Sequence, residues 1–307
     1  MILDATKFTW ENGVKDPTGY LHTFVKSLGL VLKNSPFAAR AEDAVAESGF
    51  AFRLWVDGKG LCPSSTSIWD FDLQRSGVEN AGLTCRYTSR LWGEDDLEAE
   101  RRQQAIDSIR QGIDGGIAST AWDVDGCEWG VIYGYDDGKE TLCCLSAAGA
   151  QVSLPYRQLG QRELPILSVL TVTGENGRTE QERVRETMAI AVRHARGEEW
   201  CDNPQGLAAY PALIDYAENG REEELNSFNM AYMLGTYAAL RYHAWQYWQR
   251  RGDAVLAADY RAVFENWQAA FDAGRSAVPG LAGILHSHLT AACEAESHAV
   301  SVMESRL

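Results

Sequence analysis

Glu128-Trp129-Gly130-Val131-Ile132-Tyr133-Gly134-Tyr135-Asp136-Asp137 is the stretch whose reading decides the fold. Its apolar run reads as a short strand, and Gly134-Tyr135-Asp136-Asp137 reads as the turn that closes it. Other strand-like segments flank it, at 117–122 before and at 141–145 and 164–172 after. Asp123-Val124-Asp125-Gly126 and Asp136-Asp137-Gly138 separate these segments, which is the punctuation of an antiparallel meander.

Outward from the strands the period changes. Lys15-Asp16-Pro17-Thr18 has the form of a helix start, with Asp16 as N-cap and Pro17 in the first turn. Leu21, Val25, Leu28 and Leu32 follow at helical spacing. A second helix is expected over 97–111, stopped by the glycines of Gly112-Ile113-Asp114-Gly115-Gly116. Helices followed by a sheet make an α+β layout. After residue 178 the strand signal disappears. Thr179 and Glu182 form a capping box, and Val184, Met188, Ala191 and Val192 supply an apolar stripe. Four more helices are expected at 204–218, 222–251, 253–273 and 279–304. The polar joint Gly174-Glu175-Asn176-Gly177 therefore divides the chain into 1–174, α+β, and 175–307, helical.

Composition narrows the function classes. The 307 residues, 45% hydrophobic and 23% charged, suffice for a sizeable core. A net charge of −15 is repelled by nucleic acid and by anionic membrane surfaces, so neither is expected as a partner. No apolar run approaches the roughly 20 residues of a bilayer span, and the start of the sequence lacks a secretion signal. The expected location is the cytoplasm. The seven cysteines show no Cys-x-x-Cys spacing and read as reduced thiols, with no metal or cofactor motif. Tyr232, Tyr237, Tyr242, Trp245, Tyr247 and Trp248 crowd the 222–251 helix. Packing is their ordinary use, and a homodimer surface is the interaction reading.

Ser48-Gly49-Phe50-Ala51-Phe52-Arg53, Gly134-Tyr135-Asp136-Asp137, the 152–159 segment and Pro204-Gln205-Gly206-Leu207-Ala208-Ala209-Tyr210 form an ordered set. The set resembles bacterial proteins related to the amino-terminal domain of the butirosin-biosynthesis acyltransferase. That domain has a papain-like fold, similar to bacteriocin-processing cysteine peptidases. The resemblance covers nearly the whole chain and implies a papain-like domain followed by a helical one. It also implies a cysteine nucleophile at the start of the first long helix, where Asp16-Pro17-Thr18-Gly19-Tyr20-Leu21-His22 holds none. The histidine place matches Glu128, and the orienting acid falls at Cys143-Cys144-Leu145-Ser146, which has no carboxylate. A thiolate–imidazolium pair needs both members.

The expected activity is therefore binding of a small molecule or peptide in the former cleft, lined by Thr18, Gly19, Tyr20, Arg53, Trp69, Glu128, Trp129 and Asp136. Catalytic candidates are Cys62 as a displaced nucleophile, His22 as a base and Glu128 as a general acid or base. They define the alternative, an acyltransferase or amide hydrolase with a relocated cysteine. Glu128 is also placed to join Asp136 and Asp137 in an acidic patch, or to pair with Arg53. Asp70 and Asp72 share a face if extended, and Glu294 and His298 share a helix face; neither set suffices for a metal.

Overall fold

The computed structural model describes residues 1–66, 72–199, 201–220, 222–276 and 278–307. The amino-terminal part contains α1 (Thr23–Lys33), α2 (Ala41–Glu47), α3 (Asp72–Asn80), β1 (Leu83–Arg90), α4 (Glu98–Asp114) and β2 (Ser119–Trp122). The strands β3 (Trp129–Asp136), β4 (Thr141–Leu145), β5 (Gln151–Pro155) and β6 (Leu167–Glu175) follow. The rest is helical: α5 (Glu180–Ala195), α6 (Ala209–Asn219), α7 (Glu222–Leu225), α8 (Phe228–Arg250), α9 (Ala254–Arg275) and α10 (Leu281–Glu304). The fold is α+β, with a helical carboxyl-terminal part. No helix among the described residues is long and apolar enough to cross a membrane.

The chain forms two compact units. One comprises Met1–Lys15, Thr23–Ala44 and Phe71–Thr179; the other comprises Asp16–His22, Val45–Asp70 and Glu180–Leu307. Set beside the expected division at 174, the stretches 16–22 and 45–70 belong with the helices.

In the sheet unit six antiparallel strands run in the order β1-β6-β2-β3-β4-β5. Alternation along β3 sends its side chains to two cores. On one face, Ala105, Ile106, Ile109 and Ile113 of α4 pack with Ala121, Ile132, Cys144 and Leu167. On the other, Leu30 and Val31 of α1 pack with Phe8, Val131, Tyr133 and Leu145. Trp129 is fully buried at the start of β3, edge-on to Phe24 (5.0 Å) and Trp122 (5.5 Å). Residues 1–3 extend the sheet beyond β2: Leu3 N donates to Tyr133 O at 3.0 Å and Tyr135 N donates to Met1 O at 2.8 Å. Gly134 leaves room for this pairing, since a Cβ there would stand 2.8 Å from Ile2.

The helical unit is built on α8, which lies against α9, with α10 on α9, α6 and α5. Half of the aromatics named on α8 are core: Tyr237, Tyr247 and Trp248 are buried, while Tyr232, Tyr242 and Trp245 are half-buried.

Two local expectations are corrected, and one strand is added. The first helix starts at Thr23, not at Pro17, because the Asp16 carboxylate accepts from Gly19 N (2.9 Å) and Leu21 N (3.2 Å). That is a side-chain-capped turn, and Gly19 sits in it at φ +84°. The 222–251 helix is two, because the Ser227 hydroxyl accepts from Met230 N at 3.3 Å and opens α8 afresh. Strand β1 carried no sequence expectation and forms the sheet's edge.

Candidate functional site

The site is built where α1 begins beside the start of β3. Thr23, the first residue of α1, donates its hydroxyl to Glu128 Oε2 at 2.5 Å. Trp129 N donates to Thr23 Oγ1 at 3.2 Å, so the hydroxyl bridges the carboxylate and the strand backbone. Both side chains are half-buried, whereas Trp129 behind them is inaccessible.

The turn feeding β3 fixes Glu128. Asp123 N donates to Glu128 O at 2.9 Å. Asp123 and Cys127 adopt left-handed φ values of 48° and 56°, costly for non-glycine residues, and both lie in this one turn. The Asp123 carboxylate accepts from Cys127 N at 3.0 Å and pairs with Arg162 at 3.3 Å. Burial nevertheless raises its pKa, outweighing the lowering by those two contacts.

The other sequence candidates have contacts of their own. Thr18 is buried and donates its hydroxyl to Gly235 O at 2.9 Å, so it is a structural tie of the helical unit. Gly19 occupies the Asp16 turn, and Tyr20 packs against Phe228, Tyr232 and Phe271. His22 is buried 5.0 Å from Phe50, and burial pushes its pKa down to about 4, so it is neutral at pH 7. Cys62 is exposed; among the described residues its Sγ contact is the Ser64 hydroxyl at 3.0 Å, not an imidazole. Arg53 is held by both oxygens of Glu199, at 2.7 and 2.9 Å, which replaces the expected pairing with Glu128. Trp69 and Asp70 lie outside the described residues, and Asp72 opens α3 rather than a strand.

The acidic patch does not form. Asp136 ends β3, roughly 25 Å of extended chain from Glu128. It receives Lys139 N at 3.1 Å in the β3–β4 turn. Asp137 pairs with Arg110 of α4 and accepts from Tyr156 Oη at 2.9 Å. In α10, His298 contacts Asp259 at 2.8 Å instead of serving with Glu294, and no described group of three ligating side chains suits a metal ion.

All seven cysteines are free thiols. Burial raises the pKa of Cys85, Cys127, Cys144, Cys201 and Cys293, which keeps each of these protonated and unreactive at neutral pH. Sequence reasoning missed Thr23. The available signal was a residue of N-cap type placed directly before Phe24-Val25, overshadowed by Asp16-Pro17 upstream.

No family model matches the chain, and no curated protein matches it.

Proposed function

We propose that this is a papain-like protein without thiol–imidazole chemistry, and that it binds a small molecule or peptide beside the paired starts of α1 and β3. One observation carries the reading, the 2.5 Å contact between Thr23 Oγ1 and Glu128 Oε2. The resemblance implies a sulfur at the helix start and an imidazole at the strand start; a hydroxyl and a carboxylate meet there instead. An alkyl hydroxyl is a far weaker acid than a thiol, and a carboxylate a weaker base than imidazole, so the pair is suited to hydrogen bonding rather than attack. Half-burial leaves both groups accessible to a ligand's donor.

The test has two arms on the intact chain. Iodoacetamide and a peptidyl chloromethyl ketone, read by peptide mass spectrometry, should label Cys62 at the rate of a free thiol and no cysteine faster. A cysteine reacting more than about 100-fold faster, and quenched by replacing a neighbouring histidine, overturns the loss of catalysis. In the second arm, thermal shifts are measured against amines, amino acids and short peptides. Binding should weaken about tenfold or more in Thr23→Val and Glu128→Gln. Shifts untouched by both substitutions put the ligand elsewhere.

A further inference from the structure

In the helical unit, residues 54–56 pair with 204–206. Gly206 N donates to Leu54 O at 2.8 Å, Val56 N donates to Pro204 O at 3.0 Å, and Trp55 bridges Gln205. The ring of His194 is set into this pairing and is fully buried. Its Nε2 lies 2.7 Å from Leu54 N, 3.2 Å from Gly206 N and 3.0 Å from Leu54 O. Its Nδ1 lies 2.9 Å from Glu199 Oε2.

These contacts fix the tautomer. A carboxylate accepts only, so the proton sits on Nδ1 and Nε2 presents a lone pair to the Leu54 and Gly206 amides. A second proton on Nε2 reverses the pattern: the ring then donates to Leu54 O, the acceptor that Gly206 N already uses. The Leu54 amide loses its partner and the Leu54–Gly206 rung is contested. Gly206 makes the close approach possible, because a Cβ there would stand 2.3 Å from His194 O, and it adopts φ +56°.

We propose that His194 is an acid-triggered latch on the pairing of Leu54 with Gly206, closed by the neutral ring and released by its protonation. The charged groups that face the ring are Glu199 and Arg53, and Trp55 stands edge-on at 4.7 Å. Arg53 also holds both Glu199 oxygens, so the carboxylate that faces the ring is shared between a guanidinium and the imidazole. Burial is the largest influence on His194 and lowers its pKa; Glu199 opposes that lowering and Arg53 adds to it. The sign follows: the latch is fully held above the ordinary imidazole range and is lost as pH falls through the lowered value.

Histidine-ring and backbone-amide NMR on the intact protein, from about pH 7.5 down to about 4, tests this. The His194 ring should titrate below the ordinary value near 6.5, with the Leu54 and Gly206 amides moving at the same midpoint. His194→Gln keeps an acceptor but no titratable ring, and should abolish that transition. Glu199→Gln should move the midpoint down by about one pH unit. Amides that shift at a midpoint unrelated to His194, or a transition surviving in His194→Gln, overturn the latch. Should His194→Gln fail to fold, an unmoved or raised midpoint in Glu199→Gln overturns it equally.

Discussion

The two compact units bury different kinds of polar group. Between the strands of the sheet, and between α4 and the sheet, the ties are between hydroxyls: Ser108 donates to Thr171 at 3.2 Å, Ser119 and Thr171 share a bond of 2.7 Å, and Tyr87 meets Ser168 at 3.1 Å, while the buried charges Arg90 and Asp123 stand at strand ends. Inside the helical unit the ties are between charges. Glu296 lies between Arg241 and Tyr210, Glu47 between Arg183 and Arg251, and Glu199 between Arg53 and His194. Each charged cluster draws on residues 47–53, since Arg241 Nη1 also donates to Ala51 O (3.0 Å) and Arg53 O (2.9 Å). A sheet ladder already fixes its strands through the backbone, so hydroxyls suffice. The 47–53 segment has no such ladder, and buried ions hold it in a single place.

The largest effect should come from breaking one ion of a pair. Arg241 and Glu296 are both buried, at a closest approach of 2.9 Å, and Glu296 holds the Tyr210 hydroxyl. Arg241→Met leaves Glu296 charged in an apolar interior and should cost about 3–5 kcal/mol in chemical denaturation. Arg241→Met combined with Glu296→Leu should recover much of that loss. A double variant no more stable than the single would show that the carbonyl contacts to Ala51 and Arg53, not the ion pair, hold the segment.

His22 sharpens the contrast from the other side, as a group kept uncharged by the same unit. Its pKa is pushed down to about 4 by burial. A lowered histidine stabilises the fold above its unfolded value near 6.5, and that contribution disappears as pH falls towards 4. The stability difference between wild type and His22→Leu should therefore narrow or invert across this window, by about 3 kcal/mol. A difference independent of pH would mean the ring is not shielded.

Thr23 asks whether every hydroxyl of the sheet unit matters equally. Thr23→Val removes a bond to a carboxylate and an acceptor for Trp129 N, and should cost about 1–2 kcal/mol. Thr120 is buried on β2, and its hydroxyl has no hydrogen-bond partner among the described residues. Thr120→Val should be neutral or stabilising by up to about 1 kcal/mol. Equal losses in thermal unfolding would show that shape, not bonding, is what both positions require.

How much of this is visible in the sequence differs between the units for the same reason. The meander around β3 is legible because apolar runs and Asp-Gly turns are local signals, and helices α5, α9 and α10 because an apolar stripe repeats along each. Strand β1 is not, since an edge strand with Thr84, Arg86 and Thr88 carries little apolar content to betray it. The start of α1 is misread because Asp16-Pro17 satisfies the chemistry of a helix cap and of a tight turn alike, and the turn wins. The buried ions are invisible for a different reason. Arg53 and Glu199 stand 146 residues apart, and no spacing rule joins them. The candidate site shares that fate: Glu128 is readable from its strand, but Thr23 is 105 residues away and becomes its partner only through packing.

The smallest effect tests whether burial, rather than charge itself, distinguishes the helical unit. Arg261 and Glu265 form an i,i+4 pair on α9 at 2.7 Å, with side chains 60% and 55% exposed. Arg261 also lies over the Trp245 ring, 5.7 Å from its centroid. Water solvates both ions before and after the pair breaks, so the Coulombic gain is offset by solvation and by the ordering of two long side chains. Arg261→Gln should therefore cost about 0.3–0.5 kcal/mol for the pair, with a comparable amount if the ring contact is lost as well. The loss should shrink in high salt, which screens exposed ions far more than buried ones. The Arg241→Met loss should persist there. A surface loss as large and as salt-resistant as the buried one would mean that the helices are held by their charge pattern everywhere, and the difference between the two units would lie in composition rather than in where the ions are placed.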